Sequence, residues 1–310
     1  MGEDKQIYNN DAITKLLNDC VSLKPSDMIV SDLKWKHLVR GILREKNCLL
    51  IGPSGTGKTK IIKSIAKALK RENLFHKFNM GSTQDARSTL MGNMSFDKSV
   101  GTIFNKSDFI KAITTENSII MLDELSRASH DSWNILMTVL DEEERYLRID
   151  ENNSEFIKVA KGVCFLAATN IGNEFTSTKT LDKALLNRFP IKVEMEYLTQ
   201  KAEFDYMMSR YPELNSDNKK KDIVNALCDI ASQTREHVVK MTSITNCITT
   251  RQVKDMTEMV LDGFSLEDIS EVSIYPEFSA DGDESSERTF MRQLVQKHIV
   301  TKAKNPITKT

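Results

Sequence analysis

The chain has 310 residues, 40% of them hydrophobic and 28% charged, with 43 basic side chains against 44 acidic and a net charge of -1. Those figures describe a soluble globular protein of one large and one small domain. They argue against a generally basic nucleic-acid binder, although a local basic patch remains open. No apolar run approaches the roughly 20 residues that cross a bilayer, and the first residues lack a signal-peptide core. Cys20, Cys48, Cys164, Cys228 and Cys247 are scattered without a C-x-x-C pair, which predicts reduced thiols and a cytoplasmic setting. The five histidines show no metal-ligand spacing.

Residues 1–31 are a polar N-terminal extension with one amphipathic run, Ala12 to Val21, read as a helix or a docking arm. From Ser31-Asp32 a capped helix is predicted, with Leu33, Trp35, Leu38, Val39, Ile42 and Leu43 as its apolar positions. It leads into the strand Cys48-Leu49-Leu50-Ile51, then Gly52-Pro53-Ser54-Gly55-Thr56-Gly57-Lys58-Thr59, then a helix carrying Ile61, Ile62, Ile65, Ala66 and Leu69. Strand, glycine loop and helix are the context that the phosphate-binding pattern G-x-x-x-x-G-K-[ST] requires. The glycines let several backbone N–H groups face one anion, and the helix N-terminus adds partial positive charge. Lys58 can reach the β- and γ-phosphates, the Thr59 hydroxyl can ligate Mg²⁺, and Lys60 follows in the same turn. The stretch from Gly52 to Lys60 is therefore the candidate site for a nucleoside triphosphate, with ATP and Mg²⁺ as cofactors.

Leu74–Met80 reads as a second strand. Residues 81–106, broken by Gly81, Gly92 and Gly101, read as an insertion, a small hairpin interrupting a helix. A helix near Ser107–Thr115 precedes the strand Ser118–Leu122, which ends in Asp123-Glu124. These acids are the first polar residues past the carboxyl end of a buried strand, where ligands of open α/β sheets sit. Asp123 is the candidate for Mg²⁺ and Glu124 for the base that orients and deprotonates water.

A helix from Asp131 presents Trp133, Leu136, Met137 and Leu140, and residues 145–159 read as a β-hairpin around a polar turn at Asp150–Glu155. The strand Val163–Ala168 delivers Thr169-Asn170 to the same crevice, where the Asn170 amide can position the lytic water or contact the γ-phosphate. The helix Thr180–Asn187 closes with Arg188, and Pro190–Met195 is a fifth strand. Strands alternating with helices predict an α/β fold, a three-layer α/β/α core with a five-stranded parallel sheet over residues 32–196. Residues 197–310 read as a smaller all-α domain, with helices near 200–210, 218–239, 249–263 and 287–302 and an acidic loop at Ser279–Ser286.

Taken together, these motifs resemble the AAA+ ATPases, P-loop NTPases with a helical lid. Asp123-Glu124-Leu125-Ser126-Arg127-Ala128 resembles the D-E-x-x-R-A segment of the MoxR and midasin/dynein-related group. Leu181 to Phe189 resembles that group's L-x-x-A-L-x-x-R-F run, and Gly172-Asn173-Glu174-Phe175-Thr176 is closer to the CbbQ/NorQ/GvpN and CobS-like members. The resemblance makes the 81–106 insertion and the 145–159 hairpin the helix-2 insert and pre-sensor hairpin of that clade. It makes Asn170 the first sensor, Arg188 the arginine finger serving a neighbouring subunit, and Arg251 the second sensor; Arg127 is a further interface candidate or a structural partner for a nearby acid. It implies a homo-oligomeric ring, usually a hexamer, that hydrolyses ATP to remodel or mature a client protein, in relatives often one with a von Willebrand factor A domain. The alternatives are a nucleic-acid-associated motor or restriction-type subunit, and a nucleotide-dependent scaffold that scarcely hydrolyses. Met91, Phe96 and Tyr146, on the insertion and the hairpin, are candidate client contacts.

Overall fold

The structure, a computed structural model, describes residues 10–82, 85–97, 101–149, 155–170, 181–240, 244–282 and 286–303. The chain divides into two compact units, residues 1–53 with 57–195, and residues 196–310 with the three-residue stretch 54–56.

The first unit carries, in order, α1 (Asn10–Asp19), α2 (Asp32–Leu43), β1 (Cys48–Ile51), α3 (Lys58–Ala68), β2 (Phe75–Asn79), α4 (Ala86–Leu90), β3 (Gly92–Asp97), β4 (Gly101–Lys106), α5 (Asp108–Thr114), β5 (Ile119–Asp123), α6 (His130–Val139), β6 (Tyr146–Ile149), β7 (Glu155–Lys158), β8 (Cys164–Thr169), α7 (Lys183–Asn187) and β9 (Ile191–Glu194). Five strands pair in parallel in the order β2-β5-β8-β1-β9. The period of two along each strand explains why the apolar runs are continuous. Leu49, Ile120, Leu122, Phe165 and Ala167 face a core shared with Phe109, Trp133, Leu136 and Leu185 of α5, α6 and α7. Cys48, Leu50, Ile119, Met121, Cys164 and Leu166 face the opposite core, with Trp35 and Leu38 of α2 and Ile61 and Ile65 of α3. This is the predicted three-layer arrangement.

Local chemistry sets the helix starts. The Ser31 hydroxyl accepts from the Lys34 N–H, Ser107 from Ile110 and Ser129 from Ser132, each filling one of the donors a helix leaves open. Two predicted positions differ. Leu33 is 66% exposed, because α2 turns its Trp35–Leu38–Ile42 stripe to the core and leaves position 33 on the outer face. The helix before Arg188 begins at Lys183, where Asp182 caps it through the Ala184 N–H, and the predicted first residue, Thr180, lies outside the described residues. The insertion is a hairpin, β3 with β4, between the short α4 and α5, and β6 pairs with β7. Lys106 of β4 and Glu155 of β7 form an ion pair at 2.7 Å that ties one hairpin to the other.

The second unit packs α8 (Gln200–Arg210), α9 (Asn218–Val239), α10 (Thr250–Leu261), α11 (Leu266–Ile269) and α12 (Glu287–Ala303) around Met207, Leu227, Ile230, Val253, Met256, Phe278 and Met291. The short α11, continued by a wide turn at Ser270–Ile274, was not predicted; its sequence is too short to show a helical period. Glu203, fully buried, accepts two bonds from the Arg235 guanidinium at 2.9 and 3.0 Å. Among the described residues no helix is long and apolar enough to cross a membrane.

Candidate functional site

Three strand ends meet at the candidate site. From the end of β1, the Gly52 N–H donates to Thr169 O, which keeps the loop's first residue on the sheet. A Cβ at Gly52 would stand 2.0 Å from Met195 O, so only glycine lets the chain turn there. Gly57 caps α3 at φ 87°, a left-handed conformation that costs glycine nothing, and space is open around its missing Cβ. Lys58 and Thr59 then occupy the first turn of α3, where unpaired N–H groups and the helix dipole favour an anion.

Lys58 is only 8% exposed. Its ammonium donates to Gly52 O at 2.6 Å, Pro53 O at 2.7 Å and Asn170 Oδ1 at 2.7 Å. Burial pushes its pKa down to about 8, partly offset by the negative charges of Asp123 and Glu124, which raise it. The lysine, both acids and the asparagine are thus gathered at the carboxyl ends of β1, β5 and β8, as their positions in the sequence predict.

One further residue belongs to this cluster and was not read from the sequence. Lys77, on β2, forms an ion pair with Asp123 Oδ2 at 2.6 Å, while Asp123 Oδ1 accepts the Glu124 N–H at 3.1 Å. Glu124 itself stands at φ 55°, an uncommon conformation for a residue with a side chain. A Cβ at Gly81 would come within 2.4 Å of Glu124 Oε2, so glycine makes room for that carboxylate. Arg127 pairs with Glu124 at 3.6 Å, which favours the structural alternative for this arginine. Lys60 turns away from the loop and pairs with Asp27 at 2.6 Å, tying α3 to the segment before α2.

Arg188 is not in this cluster. Arg188 caps α7 at the amino end of the sheet: Asn47, immediately before β1, donates to Arg188 O at 2.9 Å and to Leu140 O at 2.8 Å. The phosphate loop leaves the opposite end of the same strand. Arg251 is exposed in the first turn of α10, in the second unit, behind a capping box of Thr249 and Gln252. The motif Gly172–Thr176 lies outside the described residues. Of the three candidate client contacts, Phe96 is exposed, Tyr146 is half-buried against Phe156 with ring centroids 5.4 Å apart, and Met91 is buried in the core. Met91 is corrected accordingly: it ends α4 and packs inward, and among the described residues the large exposed apolar side chains of the two hairpins are Met94, Phe96 and Phe156.

A hydroxyl on Thr59 and a carboxylate on Asp123 are hard oxygen donors. With the phosphates of a nucleotide and water they suit Mg²⁺, which keeps several waters and takes few protein ligands.

Residues 47–189 match the family model described as AAA domain, dynein-related subfamily. This stretch is similar to AAA domains, and its five-stranded parallel sheet with helices is the fold of the AAA+ P-loop NTPases. The chain is 32% identical over 204 residues to "Lon protease homolog, mitochondrial 1" of Dictyostelium discoideum, across 58% of this chain and 20% of that protein. It is 30% identical over 165 residues to "Putative chaperone BssE" of Thauera aromatica, across 53% of this chain and 55% of that protein. The chain thus spans a fifth of one relative and about half of the other. Among solved structures it resembles Hsp104 in its closed state with ATPγS and FITC casein, with a TM-score of 0.49 and 16% identity over 79% of this chain and 51% of that one. The matched stretch runs from just before β1 to the residue after Arg188, and so contains every candidate site residue except Arg251.

Proposed function

We propose that this chain hydrolyses ATP to ADP and phosphate in a homo-oligomeric ring, a hexamer by resemblance, and uses the reaction to remodel or mature a partner protein, as MoxR- and CbbQ-like ATPases do. The observation that carries the ATPase reading is the buried Lys58 ammonium, held within hydrogen-bond reach of Asn170 and of the phosphate loop, with Asp123 and Glu124 close enough to shift its proton affinity. The relative in Thauera aromatica, named as a chaperone, supports the choice of a protein client.

In this reading the loop N–H groups and Lys58 bind the β- and γ-phosphates, replacing the contacts Lys58 now makes to Pro53 O and Asn170. Thr59 and Asp123 would hold Mg²⁺, which when bound would supply positive charge against the phosphate oxygens. Glu124 accepts a proton from water as its oxygen attacks the γ-phosphorus, and the bond from that phosphorus to the ADP oxygen breaks. Asn170, released by Lys58, orients that water or the γ-phosphate. Arg188, on the other end of the sheet from its own phosphate loop, supplies its guanidinium to the neighbouring protomer, and Arg251 acts as the second sensor.

The test is a pair of variants. Glu124→Gln keeps the shape of the side chain and removes the base, so it should bind ATP with wild-type affinity while turnover falls at least a hundredfold. Turnover within threefold of wild type would remove Glu124 from the reaction. Arg188→Ala should bind ATP yet hydrolyse it poorly, by a factor of about 10³. Mixed with Lys58→Ala it should regain activity, because some interfaces then pair an intact Lys58 with an intact Arg188. A mixture no more active than its parts would refute the shared site.

A further inference from the structure

Each guanidinium nitrogen of Arg188 has a partner within its own protomer. Its Nε donates to Met137 O at 3.2 Å and its Nη1 to Ala184 O at 3.1 Å, two backbone acceptors on α6 and α7. Its Nη2 faces Asp141 Oδ2 at 3.4 Å, the longest and weakest of the three contacts and the one made to a carboxylate. Both side chains are about 30% exposed. They line an open cavity of about 340 Å³ at the amino end of the sheet, whose wall carries two more ion pairs, Lys46 with Glu142 and Arg145 with Glu45.

Asp141 is built to face Arg188. It follows Leu140, the last residue capping α6, and its Oδ1 accepts the N–H groups of Glu143 and Glu144 at 3.0 and 3.3 Å. Those bonds fix the carboxylate plane and leave Oδ2 for the arginine. The two backbone acceptors therefore set where the guanidinium lies, while the third nitrogen is held by a carboxylate that also lines the cavity. A carboxylate oxygen on a guanidinium presents the same charge and geometry as one oxygen of a phosphate.

We propose that Asp141 is a placeholder for the terminal phosphate bound by a second copy of this chain: it holds Nη2 of Arg188 in the free protomer and gives it up when the neighbour's nucleotide enters the cavity. The proposal rests on the reading of Arg188 as a residue that acts in the neighbouring protomer. Asp141 is then a positioning residue whose loss eases assembly. The neighbour's phosphate competes with the carboxylate for one donor, so removing that competitor strengthens the engaged interface. An ion pair with this exposure is worth a factor of up to about five per interface.

The experiment compares Asp141→Asn with the wild type. The amide oxygen keeps the bonds to Glu143 and Glu144, and the NH₂ that replaces Oδ2 cannot accept from Arg188. Asp141→Ser, which keeps a short acceptor and no charge, serves as the second variant should the first melt early. ATP turnover is measured against protein concentration, and ring assembly by sedimentation with a non-hydrolysable ATP analogue, in both the wild-type and the Arg188→Ala backgrounds. The expected result is a two- to fivefold lower concentration for half-maximal turnover and for assembly, present when Arg188 is intact and absent in the Arg188→Ala background. Unchanged concentration dependence in both Asp141 variants overturns the proposal and leaves the shared site standing. The same shift in the Arg188→Ala background also overturns it, because Asp141 would then act through another group. Should Arg188→Ala itself turn over like the wild type at every concentration, the shared-site reading falls and the proposal with it.

Discussion

Burial of Lys58 makes nucleotide binding a proton-linked event, and the direction follows from its environment. In the nucleotide-free protein the pKa is lowered to about 8, chiefly because the ammonium is desolvated. Only the charged form complements a polyphosphate, and the phosphate charge, once bound, restores the lysine's ordinary high pKa. Protonation and binding therefore reinforce each other, so affinity falls as pH rises through the nucleotide-free value. With that value near 8, about nine in ten molecules carry the charge at pH 7 and about one in ten at pH 9. The dissociation constant should rise roughly tenfold between those limits, about 1.4 kcal/mol. The nucleotide adds little to the trend, since a terminal phosphate with a pKa of about 6 holds only about a tenth of a proton at pH 7 and almost none above pH 8. Titration calorimetry in EDTA, in buffers of different ionisation enthalpy, should show net uptake near zero at pH 7, where release from the phosphate offsets uptake by the lysine, and about 0.9 proton per ATP at pH 9. Lys58→Arg, whose guanidinium stays charged throughout, should bind more weakly but with no pH dependence over this range. A wild-type dissociation constant that changes less than twofold from pH 7 to pH 9 would refute the argument, as would proton release on binding at pH 9.

Lys58→Ala should lose detectable ATP binding while melting near the wild-type temperature, because it deletes both the cation and the cost of burying it; nucleotide fluorescence titration decides the first point and calorimetry the second. Replacing Met94, Phe96 and Phe156 together with alanine should leave basal ATPase within twofold, since all three are exposed, and abolish stimulation of turnover by an unfolded protein. Stimulation equal to wild type would remove the hairpins from client contact. Met91→Ala, at a buried position, should instead cost about 2–5 kcal/mol in urea unfolding. In the second unit, Glu203→Ala strands the buried Arg235 guanidinium and should cost about 3–5 kcal/mol, whereas replacing both partners with methionine should cost far less. Equal losses for the single and double variants would show that packing, not charge, sets the penalty.

The parts of the fold that were legible are those where one local pattern admits one structure. β1, β5 and β8 are short apolar runs ending in polar residues, and their continuity reflects cores on both faces of the sheet. Glycine, lysine and threonine at fixed spacing between a strand and a helix leave the backbone little choice, so the phosphate loop could be located before any contact was known. Residues facing outward were harder. Met91 and Phe96 stand five positions apart in one insertion with similar hydrophobicity, yet one is in the core and the other is 77% exposed. What separates them is that the chain changes there from α4 to β3, which turns Met91 inward and lets Phe96 project.

Lys77 and Asp141 show a different limit, one of topology rather than of pattern. Lys77 sits 46 residues before Asp123 in sequence, and nothing in its own segment distinguishes it from a solvated strand lysine. It meets Asp123 because β2 pairs with β5, a choice made by the crossover of the chain and not by either strand's composition. Asp141 likewise opens the acidic run Asp141-Glu142-Glu143-Glu144, and it meets Arg188 only because α7 returns that residue to the amino end of β1. Both pairs join a residue that the motifs identify to one that they do not. The motif member carries the chemistry in its residue type and is visible from sequence, while its partner holds that group's charge when the nucleotide is absent. Such partners are found from strand order and helix return, so they are the positions where a structure adds most to a motif that was already recognisable.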